Sequence, residues 1–331
     1  MKNLKRKITT IFLVICMIFT SACGNNNIVQ GENGILYVYN WGEYIDPEVI
    51  DMFEKEMGIK VVYDLFETNE EMYPVVDLGA REVDVICPSD YMIEKMIKNN
   101  LLQEIDINKL EYYKNVNPAQ INVLKQIKDG EKYAVPYMRG SVGILYNKTL
   151  LDERGLKYPR SWADLFETTY EKEILMQDSV RDAFMVALKK NGYSVNTTNT
   201  YELDVAERDL KEQKPLVQAY VVDQVRDKMI AGEAAVGVIY SGEVLYIQNN
   251  DTENNYEYKY VLPEEGTNVW LDGWVITKKS KNVENAHKWI DFMCREDIAK
   301  MNAEYITYET TNKKAEELLS SEYSFSRYNG K

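Results

Sequence analysis

Two residues in the C-terminal third of the chain have types and spacing that suit the binding of a cation. Trp270 and Asp272 are separated by one residue, so on a β-strand their side chains lie on the same face. A carboxylate beside an indole offers an ion pair and a cation–π contact together, whereas a hydrophobic core gains nothing from the carboxylate. Packing in the core is the alternative for Trp270 and for Trp41. The spacing therefore favours a site for a positively charged ligand.

The charge of the chain agrees with a cationic ligand and disfavours polyanions. There are 53 acidic and 39 basic side chains among 331 residues, and the formal net charge at pH 7 is −14. A chain this acidic repels nucleic acid and anionic lipid head groups, and it attracts cations. Solubility alone is the alternative explanation, because net charge identifies no particular site. We predict that nucleic acid is not a partner.

No motif of a known catalytic chemistry is present in the sequence. It contains no Gly-x-Ser-x-Gly, no His-Glu-x-x-His, no Gly-x-Gly-x-x-Gly and no phosphate-binding loop. The single histidine, His287, follows a segment rich in Lys, Asn and Glu, where a solvated side chain is expected. We therefore predict that the protein is not an enzyme and holds no cofactor or metal. A hydrolase that uses paired carboxylates is the alternative in this class.

The N-terminus predicts export and attachment to a membrane. Residues 1–22 combine a basic start, an apolar run over 11–19 and three small residues before Cys23, which is the order of a secretory signal peptide. The apolar run is too short to span a hydrocarbon core of about 30 Å. Cys23 directly after small residues resembles a bacterial lipobox, so we expect a lipidated Cys23 followed by a flexible tether over 23–34. The alternative is a cleaved signal in which Cys23 is lost.

The first half of the mature chain alternates strand and helix patterns. Residues 35–40 read as a strand, and a helix with an Asp-Pro start follows from 46 to a stop at Gly58. Further strand patterns cover 59–66 and 83–87, and apolar residues at helical spacing cover 91–97. This βαβα order predicts an open, mainly parallel sheet covered by helices on both faces.

The second half repeats the alternation, and the total length favours two lobes. Helices are predicted from Ser161, from Asp178 as a cap to about residue 190, and over 222–230, with a strand over 235–240. In open α/β sheets, ligands lie beyond the carboxyl ends of the strands. Two such lobes facing each other would place the site in the cleft between them.

Several short segments that follow predicted strands resemble, in the same order, the spermidine/putrescine-binding proteins of ABC transporters. The first of them reads Tyr-Asn-Trp-Gly-Glu-Tyr-Ile, and a later one reads Trp-Leu-Asp. The segments that carry the resemblance are 39–45, 63–73, 83–91, 135–137, 161–165, 178–188, 270–272 and 308–312. Together they cover nearly the whole mature chain.

The resemblance implies an α/β fold of the periplasmic-binding-protein type, with two lobes and a cleft that binds a linear polyamine. It implies a first lobe of residues 35–137 with 272–310, and a second lobe of 138–271 with 311–331. It also implies that a monomer delivers the polyamine to the permease subunits of an ABC transporter on the outer side of the cell membrane, in the periplasm or at the plasma-membrane surface.

Carried over motif by motif, the resemblance implies a set of ligand-binding residues. They are Trp41, Glu43, Tyr44, Ser89, Tyr91, Asp178, Asp182, Tyr240, Trp270, Asp272 and Tyr308. The chain departs from the family at Gly42, where relatives can carry a hydroxyl residue, at Ser179, where the family has Asp, and at Tyr240, where it usually has Trp. Asp178 is the neighbour that would substitute for the missing Asp, and Asp182 replaces the usual Glu.

These residue types suit the chemistry of a polyamine, which is an apolar chain that carries ammonium groups. Each buried ammonium needs a carboxylate or a carbonyl, and aromatic faces accept both methylenes and cations. We expect Asp272 to be the main anchor, with Glu43 and Asp182 towards the two ends. Other classes remain open: a binding protein for a sugar, an amino acid or ferric ion, and a purely structural surface lipoprotein.

Overall fold

The computed structural model describes residues 31–319. The predicted signal peptide (1–22) and the predicted lipidation site, Cys23, lie outside the described residues. Residues 31–34 of the predicted tether belong to the folded body, because Asn33 donates hydrogen bonds from its backbone and its side chain to the carbonyls of Gly58 (2.8 Å) and Met57 (2.7 Å). The expectation of a flexible tether is therefore wrong for these last residues of the segment.

The described residues form a mixed α/β structure. The strands are β1 (Ile35–Trp41), β2 (Lys60–Phe66), β3 (Val85–Ile86), β4 (Leu102–Gln103), β5 (Ala134–Asn147), β6 (Ile174–Gln177), β7 (Val217–Val221), β8 (Val236–Tyr240), β9 (Tyr258–Val261), β10 (Val269–Thr277) and β11 (Glu309–Thr310). The α-helices are α1 (Pro47–Met57), α2 (Asn69–Leu78), α3 (Asp90–Lys98), α4 (Pro118–Leu124), α5 (Gly130–Tyr133), α6 (Lys148–Arg154), α7 (Val180–Lys190), α8 (Thr200–Gln213), α9 (Val225–Ile230), α10 (Ser241–Asn250), α11 (Val283–Met293), α12 (Glu296–Ile306) and α13 (Lys313–Leu318). Short 3-10 helices cover Ile107–Lys109, Tyr113–Asn115, Trp162–Phe166 and Thr168–Tyr170.

Helix α1 illustrates how local sequence sets an element. The Asp46 side chain caps it by accepting a hydrogen bond from the backbone N–H of Glu48 (2.9 Å), and Pro47 has the φ that a first helical residue needs. Val49 and Phe53, four residues apart, are buried on one face. The helix ends at Gly58, whose φ of 64° is left-handed. The predicted start and stop are both confirmed.

Other predicted elements are displaced or shorter. Ser179, rather than Asp178, caps α7 through its hydroxyl, so the predicted cap is wrong by one residue. The capping box at Ser161 is present, but the turn it starts is a 3-10 helix. The helix predicted over 222–230 begins at Val225, and the strand predicted over 83–87 is reduced to β3.

The strands form two sheet regions that share the long strand β5. In the first region β2, β1 and β3 are parallel, β10 pairs antiparallel with β3, and β5 pairs antiparallel with β10. In the second, β7, β6 and β8 are parallel, while β5 and β9 pair antiparallel. The prediction of mainly parallel sheets holds for the βα units, whereas the strands β5 and β10 pair antiparallel with all of their neighbours.

The predicted division of the chain into two lobes stays a prediction, and the contacts of the chain end suggest one revision of it. The end of the described chain lies beside the first lobe, although the prediction placed residues 311–331 in the second. Asn312 donates from its side chain to the carbonyl of Cys294 (2.7 Å) and forms a β-bridge with Val116. We therefore propose a first lobe that includes residues 311–319.

The structure tests the environments predicted for the single histidine and for two of the cysteines. His287 is buried rather than solvated. Its Nε2 accepts a hydrogen bond from the backbone N–H of Asp106 (3.0 Å), which satisfies the buried ring nitrogen. Cys87 and Cys294 are free thiols, and both pack in the same hydrophobic core as small apolar side chains, as expected. Between residues 31 and 319, no helix is both long and apolar enough to cross a membrane.

Candidate functional site

A cavity lies where the two sheet regions face each other, and the empty space within it and its opening to solvent is about 760 Å³. Most of its lining comes from segments at or after the carboxyl ends of β1, β2, β3, β6, β7 and β8, the position at which open α/β sheets bind ligands, and the rest comes from the first half of β10 and the residues before β10 and β11. The predicted residues that line it are Trp41, Glu43, Tyr44, Ser89, Tyr91, Asp182, Tyr240, Trp270, Asp272 and Tyr308. Asp178 is exposed and lies outside this lining. The cavity is therefore lined by predicted residues that are far apart in the sequence.

Asp272 is a buried carboxylate with an unused oxygen. Tyr44 donates its phenol hydrogen to Oδ2 (2.7 Å), whereas Oδ1 is buried and accepts no hydrogen bond within the described residues. Burial raises the pKa of Asp272 to about 7, and the Asp90 and Asp182 carboxylates add to the rise, while the neighbouring Ser89 hydroxyl and the Tyr44 hydrogen bond oppose it. A buried acceptor without a donor costs about 1–3 kcal/mol. A cationic donor placed in the cavity would satisfy it.

Asp182 is a second buried carboxylate, held in place by three neighbours. Oδ1 accepts from the Asn268 amide (3.1 Å), and Oδ2 accepts from the hydroxyls of Tyr240 (2.9 Å) and Ser179 (3.0 Å). Burial raises the pKa of Asp182, and these three hydrogen bonds lower it in part. The arrangement fixes the carboxylate rigidly at one end of the cavity. Ser179, the family Asp in the resemblance, therefore supports Asp182 rather than adding a charge.

Aromatic rings line the cavity as a continuous run. Tyr240 contacts Trp270 edge to face with ring centroids 6.0 Å apart, and Trp270 contacts Tyr308 at 5.4 Å. Tyr308 then contacts Tyr44 at 5.8 Å, and Tyr44 contacts Trp41 at 6.5 Å. Such a wall suits methylene groups and the ammonium groups between them. Trp270 both lines the cavity and packs in the hydrophobic core.

Tyr308 is positioned by a buried ion pair. Its hydroxyl donates to Glu243 (2.5 Å), and the Arg226 guanidinium binds the same carboxylate with two N–H groups, one of them at 3.0 Å from Oε1. Thr307 donates its hydroxyl to the carbonyl of Gly242 (2.9 Å). These contacts join the segment before β11 to the start of α10, and they hold the Tyr308 ring against the cavity.

Gly242 allows this contact because it has no side chain. A Cβ added there would lie 2.3 Å from the Tyr308 ring, well inside van der Waals distance. We expect Gly242→Ala to displace Tyr308, to cost about 1–3 kcal/mol of folding stability through overpacking, and to weaken ligand binding. Urea unfolding and calorimetric titration of the same variant would measure the two effects. Wild-type stability together with wild-type affinity would contradict this account.

A polar network fixes the opposite wall. The Asn69 amide donates to the hydroxyls of Ser89 (3.1 Å) and Tyr91 (3.0 Å), and Tyr91 donates to Glu70 (3.0 Å). Arg181, from α7, lies over the Tyr91 ring at 5.1 Å, which joins the two walls across the cavity. The predicted pair Ser89 and Tyr91 is therefore brought together by Asn69.

Sequence reasoning missed several lining residues. Asn69, Arg181, Asp223, Arg226 and Asn268 all line the cavity but were not predicted. Asp223 follows β7 directly, so the rule that ligands lie beyond strand ends was a usable signal. Arg226 carried no such signal, because it lies within α9 and its role depends on Glu243, seventeen residues away. Glu43 is exposed at the edge of the cavity, on a left-handed turn with a φ of 51°.

The chemistry of the cavity is that of cation recognition. Its two buried carboxylates, Asp182 and Asp272, lie on an aromatic wall. Of its two arginines, Arg226 is paired with Glu243, and Arg181 donates to the carbonyl of Val195 (3.1 Å) and to Asn196. From residue 31 to residue 319, no three His, Cys, Asp or Glu side chains are grouped in a way that would hold a metal ion. Buried carboxylates beside aromatic rings are the groups that suit an organic cation.

Comparison with known proteins identifies the class to which this fold and site belong. The model of the family described as bacterial extracellular solute-binding protein matches residues 48–325. A relative from Escherichia coli K12, the spermidine/putrescine-binding periplasmic protein, is 37% identical over 304 residues, which cover 91% of this chain and 84% of the relative. The chain belongs to the bacterial extracellular solute-binding family.

Solved structures agree with this assignment. A protein from Listeria monocytogenes, described as a candidate spermidine/putrescine ABC transporter, superposes with a TM-score of 0.82 at 39% identity, covering 89% of this chain and 88% of its own. The spermidine/putrescine ABC transporter substrate-binding protein of Streptococcus pneumoniae gives a TM-score of 0.70 at 37% identity, covering 87% and 86%. The resemblance seen in the sequence and the predicted two-lobed α/β fold class are confirmed.

Proposed function

We propose that this protein binds a linear polyamine of the spermidine/putrescine class in the cavity between its lobes and delivers it to an ABC transporter permease outside the cytoplasm. The observation that carries this proposal is the unpaired Oδ1 of Asp272, which is buried beside the indole of Trp270 on an aromatic wall. A charge-assisted hydrogen bond to an ammonium group contributes about 1.5–3 kcal/mol. Two such anchors with cation–π contacts account for a micromolar affinity, about −8 kcal/mol.

The proposed ligand class explains the lining better than its rivals. The carboxylate of an amino acid or an acidic sugar needs a cation, but Arg226 is paired with Glu243, and the charge of Arg181 acts on the neighbouring Asp182 carboxylate. A neutral sugar would leave the charges of Asp182 and Asp272 uncompensated in a buried site. The related proteins named for spermidine and putrescine support the same choice.

Calorimetric titration tests the proposal with ligands that differ in charge. We expect saturable binding of spermidine or putrescine, and none of maltose, arginine or 1,4-butanediol, the last of which matches putrescine in length but has no ammonium group. Binding of maltose or arginine with no response to either polyamine would overturn the proposal. A thermal-shift series provides an independent measure, because a ligand that binds the folded state alone raises the melting temperature.

We further propose that the protein is attached to the membrane through a lipid on Cys23, that it is a monomer and that it is not an enzyme. The support for the lipid is the small-residue segment before Cys23, and the support for a non-enzymatic role is the absence of catalytic motifs in the sequence. Metabolic labelling with a fatty acid should mark the full-length protein but not its Cys23→Ala variant. Equal labelling of both would remove Cys23 from the proposal.

A further inference from the structure

We propose that the base of the first lobe rests on the anionic phospholipid head groups of the membrane to which the protein is anchored. The base consists of residues 76–84 and 277–282, most of which line a second concave surface of the molecule. This inference goes beyond polyamine binding, and it rests on the proposed lipid on Cys23.

The base lies at the opposite end of the first sheet region from the polyamine cavity. Strands β1 and β3 are parallel and begin at the base, and β10, which pairs antiparallel with β3, ends there. The other ends of these strands border the polyamine cavity. A protein that rests on its base therefore presents the polyamine cavity to the solution, from which the ligand is captured.

The base is basic in a chain whose net charge is −14. The charged residues that line its concave surface are two carboxylates, Glu82 and Asp84, and four cations, Arg81, Lys278, Lys279 and Lys281. The charge of the whole chain opposes approach to an anionic membrane from a distance. Within a Debye length of about 8 Å, however, the nearest charges dominate, and basic side chains at that distance bind anionic head groups.

The buried carboxylate of Asp84 holds the lysine-bearing segment in place. Asp84 is 3% exposed, and it accepts hydrogen bonds from the Ser280 hydroxyl (2.6 Å), the Asn282 amide (3.0 Å) and a backbone N–H of β1 (2.9 Å). The carboxylate is therefore satisfied inside the lobe. Lys279 and Lys281, which alternate with Ser280 and Asn282, are exposed at the surface.

Leu78 adds an apolar side chain to the basic surface. It is the last residue of α2 and is 78% exposed, more than any other large hydrophobic side chain between residues 31 and 319. Lys279 donates from Nζ to the carbonyl of Asp77 (2.8 Å), which brings the ammonium group next to Leu78 along the chain. An apolar side chain among cations suits a membrane interface, because the cations bind phosphates and the apolar group enters the acyl boundary.

The anchored segment reaches the folded body at this same end. Asn285, three residues after Asn282, donates from its amide to the carbonyls of Asn33 (3.3 Å) and Ile35 (3.1 Å). Cys23 precedes Gly31 by eight residues, which span at most about 29 Å in any conformation. A lipid on Cys23 keeps the base within that distance of the bilayer, and so short a connection gives the base a high effective concentration at the surface.

The test places a fluorophore at the base of the full-length lipoprotein in vesicles that contain a nitroxide-labelled quencher lipid. Leu78→Cys carries the label, and Tyr201→Cys, on α8 and 67% exposed in the wild type, is the control position. Cys87 and Cys294 are buried and should not react. In vesicles with phosphatidylglycerol, we expect at least threefold more quenching at position 78 than at 201, and equal quenching at both positions in pure phosphatidylcholine.

Two charge variants of the labelled protein separate the base from the overall charge. The first replaces three lysines of the base, Lys278→Gln, Lys279→Gln and Lys281→Gln, and should abolish the excess quenching at position 78. The second removes the same charge from exposed lysines of the second lobe and should retain the excess: Lys157→Gln, Lys211→Gln and Lys214→Gln. The melting temperatures of both variants establish that they are folded.

The outcomes distinguish the inference from the proposals on which it depends. Equal quenching at both positions, or quenching that does not depend on lipid charge, would overturn the membrane contact and leave the lipid anchor intact. Loss of the excess quenching in inorganic phosphate, but not in chloride of equal ionic strength, would show a small-anion site and overturn head groups as the partner. A full-length protein that carries no lipid would overturn the anchor and this inference together, whereas polyamine titrations test the proposed function separately.

Discussion

Asp272→Asn is expected to weaken polyamine binding by about 10- to 100-fold, the largest effect of any single conservative change in the cavity. The substitution keeps the shape of the side chain, and its carbonyl oxygen can still accept the Tyr44 hydrogen bond, which measures 2.7 Å in the wild type. What it removes is the negative charge that pairs with the ammonium group, worth about 1.5–3 kcal/mol. Isothermal titration with spermidine and putrescine measures the change.

The control for this variant is Asp178→Asn. Asp178 was predicted from the sequence as a ligand-binding residue, but it is exposed and does not line the cavity, so its loss should leave the affinity within threefold. The two variants also differ in stability. Removing a buried, uncompensated charge should keep or raise the melting temperature of unliganded Asp272→Asn. A large loss of polyamine affinity in Asp178→Asn, or no loss in Asp272→Asn, would contradict the assignment of Asp272 as the ligand's anchor.

The elements that local sequence determines were predictable, whereas those that the tertiary structure determines were not. Helix α1 follows from its cap, its proline and its terminal glycine, all of which act within a few residues. Strand β5 was not predicted, because Arg139, Gly140 and Ser141 interrupt its apolar pattern. Its neighbours β10 and β8 supply the hydrogen bonds that hold these residues in a strand.

The same division applies to the site. Trp270 and Asp272 were predicted from their spacing, and both line the cavity although the register of β10 shifts after Asp272. Asn268 was missed because its role is a hydrogen bond to Asp182, a residue 86 positions away that no local pattern connects to it. The position of Asp223 likewise depends on how closely its loop approaches Gly42. Residue types therefore indicate the charge of the ligand. Which residues line the cavity, in contrast, depends on the fold.

Polyamine affinity is expected to fall by up to tenfold per pH unit as the pH decreases from 7 to 5.5. Burial holds the pKa of unliganded Asp272 at about 7, so acidification protonates the carboxylate that must pair with the ligand. The ammonium groups stay charged throughout, since alkylamines have pKa values near 10. Binding should therefore release up to one proton from Asp272, measurable by titration calorimetry in buffers of different ionisation enthalpy, and Asp272→Asn should flatten the profile.

The stability of the unliganded protein should respond to pH in the opposite direction. The folded pKa of Asp272 lies above the unfolded value of about 3.9, so the folded state binds the proton more tightly. Its stabilising contribution is complete below pH 4 and is lost as the pH rises through 7. Asp182, whose pKa burial also raises, acts in the same sense. Affinity that increased on acidification would mean that neither carboxylate binds the ligand in its charged form, because the ligand's own charge is constant over this range.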